Sequence, residues 1–307
     1  HNRDSDHRRS RFVILQRSHP VSERFSMKIA VTAASGKLGS EICKATISLV
    51  GKDNVVGLAR TPSKAEHLGI EVRPGDYNAR DDLTESFESV DTVLLVSGMD
   101  EPAKRIDQHR NVITAAREAG AKKIVYTSVQ GPEEGSGFSP IIQSNRQTEA
   151  DIRTSGLDWV VGRNGIYIEP DIAYMQSYKI RGGIYNCAGD GKCGYTTRAE
   201  LAYAYARMLT QSRHNGKTYS LHGEAITQQQ LADYLNAAFG TRLAYHRVSQ
   251  KDYRKERTGE LGEFIGTIIA GIYQGIRDGY FDNPSQYAEA AGREHQSWDT
   301  YFAMIKK

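Results

Sequence analysis

The sequence predicts an α/β protein: a doubly wound parallel sheet with a smaller C-terminal α/β lobe. Three observations predict it. Short β-branched apolar runs alternate with stretches at helical spacing from Met27 to Gly162, the pattern of successive βαβ units. The run Asp91–Ser97 (DTVLLVS) is almost continuously apolar, as a parallel strand covered on both faces requires. Beyond Asn164 the alternation loosens, and Gly182, Gly183, Gly189, Gly191 and Gly194 gather in a loop-rich stretch.

Met27–Thr32 (MKIAVT) is the first strand, and Leu38–Val50 the first helix after a glycine-containing turn. Asn54–Ala59 is the second strand, followed by a short helix at Ser63–Leu68 behind Pro62 and a third strand at Ile70–Arg73. Asp81–Phe87 has helical spacing with acids near its start. After the fourth strand, Asp91–Ser97, a long helix at Ala103–Ala119 ends at Gly120. Lys123–Ser128 is the fifth strand, Gln143–Ser155 a helix stopped at Gly156, and Leu157–Gly162 the sixth strand. The looser part holds a helix at Thr197–Leu209, a strand at Lys217–His222, a helix at Thr227–Phe239 and a strand at Leu243–Val248. From Lys251 onward the tail is mostly helical. The expected division is 27–165 with 190–225 as the main domain, and 166–189 with 226–307 as the smaller lobe and tail.

Composition narrows the possibilities. The chain has 307 residues, 39% hydrophobic and 25% charged, enough to bury a sizeable core. Its longest apolar-leaning stretch, Phe264–Ile276, is too short to span a bilayer, so no membrane partner is expected. Residues 1–26 carry six arginines against three acids, and the rest of the chain holds 34 of each sign. Without a basic bias in the folded part, no nucleic-acid partner is expected. Residues 1–26 have no sustained period and read as a disordered extension or cloning remnant ahead of Met27. Cys43, Cys187 and Cys193 form no CxxC, which argues against disulfide and zinc scaffolds and for a reducing, cytoplasmic setting. No metal site is expected.

The turn Thr32-Ala33-Ala34-Ser35-Gly36-Lys37-Leu38-Gly39 carries the chemistry. Its spacing is G-x-x-G-x-x-G with Ala33 in place of the first glycine, directly between a first strand and a first helix. Glycines there allow a tight turn, a backbone close to a pyrophosphate, and close helix–sheet packing. The helix N-terminus offers free N–H groups and positive dipole to phosphates. Two glycines alone also fit a plain strand-to-helix turn; the position in a βαβ series favours a dinucleotide. The fold is therefore read as Rossmann-type. At the end of strand two, where an NAD site places an acid, this chain has Arg60 and, four residues on, Lys64. A guanidinium fork and an ammonium suit a 2′-phosphate, so the expected cofactor is NADP(H).

These residues resemble the NmrA-like group of atypical short-chain dehydrogenases, and within it the quinone reductases and triphenylmethane reductases. Family members read TGATGQLG where this chain has TAASGKLG (32–39), and VRNPxKA where it has LARTPSKA (58–65). Further likenesses are Gly75-Asp76-Tyr77, the run Gln108 to Ile113 (QHRNVI), Tyr126-Thr127-Ser128, Arg163-Asn164-Gly165 with Tyr167, and Ala188 to Lys192 leading to Thr197-Arg198. The resemblance covers roughly 220 residues, with its motifs in order. It implies NADP(H) held by Ala33, Ser35, Gly36, Lys37 and Leu38, with the adenosine end near Arg60, Lys64, Asp76 and Tyr77. It places Ser97, Gly98, Thr127 and Ser128 along the cofactor. Two positions depart from the family. Asn145 stands where relatives have His, and Ala150 where the quinone reductase has Lys.

What is missing bears on mechanism. Alcohol-oxidising short-chain dehydrogenases use Tyr-x-x-x-Lys for proton transfer. None of the seventeen tyrosines here has Lys at i+4. A hydride acceptor that takes its proton elsewhere, such as a quinone or cationic dye, remains compatible. Asn164 and Tyr167 are the candidate catalytic residues: an amide to orient nicotinamide or acceptor, and a ring to stack on a planar substrate. Tyr174, Tyr178 and Tyr185 follow at short spacing and fit either a pocket wall or ordinary packing. His109 reads as structural. Two functions remain: an NADPH-dependent reductase of quinones or similar planar acceptors, and an NADP(H)-binding redox sensor without turnover. Monomer and homodimer are both open.

Overall fold

The computed structural model describes residues 27–306. The reading of 1–26 as an extension lies outside the described residues. Strands β1 (Ile29–Val31), β2 (Val55–Ala59) and β3 (Glu71–Pro74) alternate with α1 (Lys37–Val50) and a 3₁₀ segment at Pro62–Leu68. Then come α2 (Arg80–Ser86), β4 (Thr92–Val96), α3 (Pro102–Glu118), β5 (Lys123–Val129), α4 (Ser139–Arg153) and β6 (Asp158–Asn164). All six strands run parallel, in the order 3-2-1-4-5-6. The order reverses between β1 and β4. In an open parallel sheet that reversal leaves a crevice at the strands' carboxyl ends.

Two of the differences from the periodicity bear on the site. Strand β6 runs two residues further, so Asn164 lies inside it, in register with Val129 on β5. Helix α4 begins at Ser139 instead of Gln143, because Pro140 in its first turn has a backbone angle preset for helix.

Past β6 the chain builds small pieces: β7 (Ile166–Tyr167), α5 (Glu169–Ala173), α6 (Met175–Arg181), β8 (Gly183–Asn186) and β9 (Lys192–Thr196). Helix α7 (Arg198–Thr210) and β10 (Lys217–Leu221) return to the main sheet, where β10 pairs with β6 as the seventh parallel strand. Strand β9 does not join it. It pairs with β7 and with β11 (Ala225–Thr227) in a separate three-stranded sheet. Helix α8 (Gln228–Phe239) opens on a capping box between Thr227 and Gln230, and β12 (Ala244–Arg247) pairs with β8. Helices α9 (Gln250–Leu261), α10 (Glu263–Arg277), α11 (Tyr287–Ala291) and α12 (Trp298–Met304) complete the chain.

One core face packs α1 and α7 on the sheet through Leu38, Ile42, Leu201, Tyr205 and Met208. The opposite face packs α2, α3 and α4 through Leu83, Phe87, Val112, Ile113 and Ile152. A third cluster, around Ile168, Ile184, Tyr195, Leu231 and Trp298, forms the smaller lobe. Among the described residues, no helix is long and apolar enough to cross a membrane.

Candidate active site

The turn after β1 is held by its own backbone. Ala34 N–H donates to the Leu58 carbonyl and Gly36 N–H to the Ala33 carbonyl, each at 2.9 Å. Ala33 sits at φ +50°, in the left-handed region that glycine adopts without a Cβ clash. Helix α1 approaches so closely that a Cβ on Gly39 would lie 2.2 Å from the Ala33 oxygen. Among the described residues no side chain caps α1, and no acid stands in its first turn. Its leading N–H groups are therefore left for an anion, so the turn fits a pyrophosphate.

A cleft of about 520 Å³ runs from this turn along the carboxyl edge of the sheet. Ala33, Gly36, Lys37 and Leu38 line its mouth, Ser97, Gly98, Thr127 and Ser128 its floor, and Asn164 and Tyr167 its far side. An adjoining cavity of about 430 Å³ shares Ala33, Gly36, Ser97 and Gly98 and adds Ser35, Arg60, Asp76 and Tyr77. Turn, strand ends and Arg60 thus form one continuous trough. Arg60 is exposed and, among the described residues, makes no hydrogen bond or ion pair. Lys64 is exposed on the 3₁₀ segment and lines neither cavity.

Several of these side chains are already committed. The Tyr77 hydroxyl lies 2.7 Å from Thr32 Oγ1 and 2.8 Å from the Val96 carbonyl, and burial raises its pKa. It fixes the trough wall with its phenol. The Asp76 carboxylate accepts from Asn78 N–H at 2.9 Å, closing the turn after β3. The Ser128 hydroxyl points away from the cleft and donates to Glu149 at 2.7 Å. Glu149 is fully buried on α4 and also binds Arg146, Arg153 and Arg163. Burial alone would raise its pKa, but the hydrogen bond from Arg163 and the charge of Arg146 hold it below the usual value. Ser128 and Arg163 are therefore tied to a structural charge cluster. His109 Nε2 accepts the Gly98 N–H at 2.9 Å, while Nδ1 faces Thr148 Oγ1 at 2.9 Å. Burial and nearby Arg105 push its pKa down to about 3, so the neutral ring holds the Gly98 loop.

At the far side, Asn164 Oδ1 accepts the Tyr205 hydroxyl proton at 2.6 Å, and its Nδ2 lies 3.4 Å from the Tyr167 hydroxyl. The carboxamide is thus fixed in orientation. Arg198 stacks 5.2 Å from the Tyr167 ring centre. Burial raises the Tyr167 pKa, which makes the phenol a weak acid at neutral pH. Tyr174, Tyr178 and Tyr185 line a different cavity, of about 380 Å³, reached past Pro170 and Asp171.

Other lining residues were not singled out from sequence. Asn145 is fully buried, donates to the Tyr126 hydroxyl at 3.0 Å and, among the described residues, leaves its Oδ1 without a partner. Its departure from the family residue marked the position but not its place in the wall. Arg105 is 5% exposed and bonds Ser144 at 3.0 Å, with its Nε unpartnered. The spacing Arg105, Gln108/His109, Val112, Ala116 put it on the buried face of α3 and was the available signal. Phe138 and the α10 residues Ile269, Ile272 and Tyr273 roof the cleft. Gly271 lets α10 approach, since a Cβ there would lie 2.3 Å from the Phe138 nitrogen.

A family model described as NAD(P)H-binding matches residues 33–212. The chain is 36% identical to quinone oxidoreductase 2 of Escherichia coli (strain K12) over 272 residues, covering 86% of this chain and 93% of that one. The chain belongs to the NAD(P)H-binding, NmrA-like oxidoreductases. Its structure matches that of an Escherichia coli NADPH-dependent quinone oxidoreductase complexed with NADPH, with TM-score 0.83 and 31% identity over 91% of this chain and all of that one. It also matches Citrobacter sp. triphenylmethane reductase complexed with NADP(H), with TM-score 0.82 and 31% identity over 91% and 100% of the two chains. As an NADP(H)-binding oxidoreductase of this family, it has, among the described residues, a turn free of capping side chains and an exposed Arg60 that makes no hydrogen bond or ion pair. The NmrA-like identification, the doubly wound α/β fold, the enzyme class and the NADP(H) cofactor expected from sequence all hold.

Proposed function

We propose that the protein transfers hydride from NADPH to a quinone or similar planar acceptor. The observation that carries this reading is the far half of the cleft: a slot walled by Phe138, Ile166, Tyr167, Ile269, Ile272 and Tyr273 beside the sheet edge. Such a slot suits a flat apolar ring, and no Tyr-Lys pair serves an alcohol. The α1 N-terminus, with Ser35 to Leu38, holds the pyrophosphate, and Arg60 reads the 2′-phosphate with its guanidinium fork. Asp76 and Tyr77 shape the adenosine end, and Ser97, Gly98, Thr127 and Ser128 support the ribose and nicotinamide from the strand ends. The bound nicotinamide supplies the hydride. Asn164, with Oδ1 taken by Tyr205 and one Nδ2 hydrogen directed at the Tyr167 hydroxyl, keeps its second Nδ2 hydrogen for a carbonyl of the nicotinamide or acceptor. The Tyr167 ring orients the acceptor. Residues 27–165 with α7 and β10 hold the cofactor, and the smaller lobe, which includes β9, encloses the acceptor together with Phe138.

The test is loss of NADPH absorbance across a quinone panel, beside NADPH binding without acceptor. Tyr167→Phe keeps most activity, because the ring acts and the phenol, with its raised pKa, does not. Tyr167→Ala raises the acceptor KM more than it changes NADPH affinity. A drop of about 10³ in kcat for Tyr167→Phe, the scale of a lost general acid, would defeat this mechanism. Tight NADPH binding with no acceptor reduced would instead favour the sensor.

A further inference from the structure

Asp171, on α5, stands where two cavities meet. It lines both the cleft and the neighbouring 380 Å³ cavity, together with Pro170, Ile269 and Tyr273. Its side chain is buried, with the residue 4% exposed. Its one side-chain hydrogen bond among the described residues comes from the Tyr178 hydroxyl, at 2.6 Å to Oδ1. The titratable groups facing it are Tyr178 on α6, Cys193 and Tyr195 on β9, Tyr253 on α9 and Tyr273 on α10. All are neutral at ordinary pH, and no cation pairs with it among the described residues. The other buried carboxylates behave differently: Glu149 is held by three arginines and Glu200 by Arg293. A buried carboxyl without a cation is stabilised in its protonated form. Burial accordingly pushes Asp171 up to about 6, against the lowering effect of the Tyr178 bond.

We propose that Asp171 is the proton donor of the reduction, delivering to the acceptor the proton that a hydride alone leaves missing. This rests on the reductase reading above. Reduction of a quinone to a hydroquinone takes two electrons and two hydrogens. The hydride brings both electrons and one hydrogen, and leaves one acceptor oxygen negative. The Asp171 O–H bond then breaks: the proton passes to that oxygen, and the bonding pair stays on the carboxylate. A proton from bulk solvent, passed along water in the 380 Å³ cavity, restores the acid, so each turnover consumes one solvent proton. A cationic triphenylmethane dye needs no such donor, because hydride addition to its central carbon already gives the neutral product.

The experiment compares a quinone with a cationic triphenylmethane dye, both driven by NADPH, in the full chain and in Asp171→Asn. Asparagine is isosteric and its carbonyl can still accept the Tyr178 hydroxyl. The expected result is a fall of at least about 10²-fold in the ratio of quinone to dye kcat, the scale of lost general-acid catalysis. In the unaltered protein, quinone kcat falls as pH rises through about 6, because the acid must be protonated, while dye kcat stays level. This pH comparison decides the matter even where Asp171→Asn does not fold. A flat quinone profile, or a quinone-to-dye ratio unmoved by the substitution, overturns the role of Asp171 and leaves the reductase standing. Reduction of neither acceptor by the unaltered protein overturns the reductase and this inference with it.

Discussion

Replacing Ala33 with glycine should stabilise the protein. Ala33 is held at φ +50° because its carbonyl receives the Gly36 N–H and packs under Gly39. An L-residue in the left-handed region costs about 1–2 kcal/mol from the contact between Cβ and the following carbonyl. Glycine removes that cost but adds about 0.4–1 kcal/mol of unfolded-chain entropy. The balance favours Ala33→Gly by roughly 0.5–1 kcal/mol, or about 1–2 °C in Tm at this size. Thermal melts without NADPH measure it, with Gly39→Ala as the opposite-signed control. That Cβ would lie 2.2 Å from the Ala33 oxygen, so it should lower Tm strongly and abolish NADPH binding. A Tm for Ala33→Gly equal to or below that of the parent would refute the argument, showing that the methyl group's packing outweighs the backbone strain.

Arg60→Ala should weaken NADPH binding by roughly 10–150-fold, the equivalent of a charge-assisted hydrogen bond of about 1.5–3 kcal/mol, and leave NADH affinity nearly unchanged. Exposure of Arg60 puts the expectation toward the lower end, and equal losses for both cofactors in a fluorescence titration would count against phosphate recognition. Gly271→Ala pushes α10 off the Phe138 backbone and should raise acceptor KM several-fold while NADPH affinity holds; an unchanged KM would remove α10 from the acceptor site. Glu149→Gln leaves Arg146, Arg153 and Arg163 without their shared carboxylate and should cost about 3–5 kcal/mol in urea unfolding. Because the folded-state pKa of Glu149 is lowered, its contribution is present above the unfolded carboxylate pKa and is lost as pH falls through the folded value. The gap between Glu149→Gln and the parent should therefore narrow in acid, and a constant gap would contradict the assignment.

Which parts of this protein were legible in the sequence follows from how local their causes are. The parallel strands announce themselves because burial on both faces leaves an apolar run such as Asp91–Ser97, which needs no knowledge of its neighbours. The turn after β1 is equally local, since Gly36 and Gly39 are demanded by a chain reversal within eight residues. The position of Arg60 at the trough was legible because the end of β2 is set by β2 itself. The roof of the cleft was not. Phe264–Ile276 reads as an apolar stretch, but only its packing on Gly137 and Phe138, more than a hundred residues earlier, makes it a wall of the site. Ser128 shows the opposite failure. Its motif places it on the right strand end, but the hydroxyl is drawn away by Glu149, an acid that carries no motif of its own. Asp171 is the clearest case. In sequence it is one acid beside Glu169 and Pro170. Only the fold surrounds it with Tyr178, Tyr195, Tyr253 and Tyr273 and, among the described residues, withholds a cation, and that enclosure gives an ordinary carboxyl its chemical character.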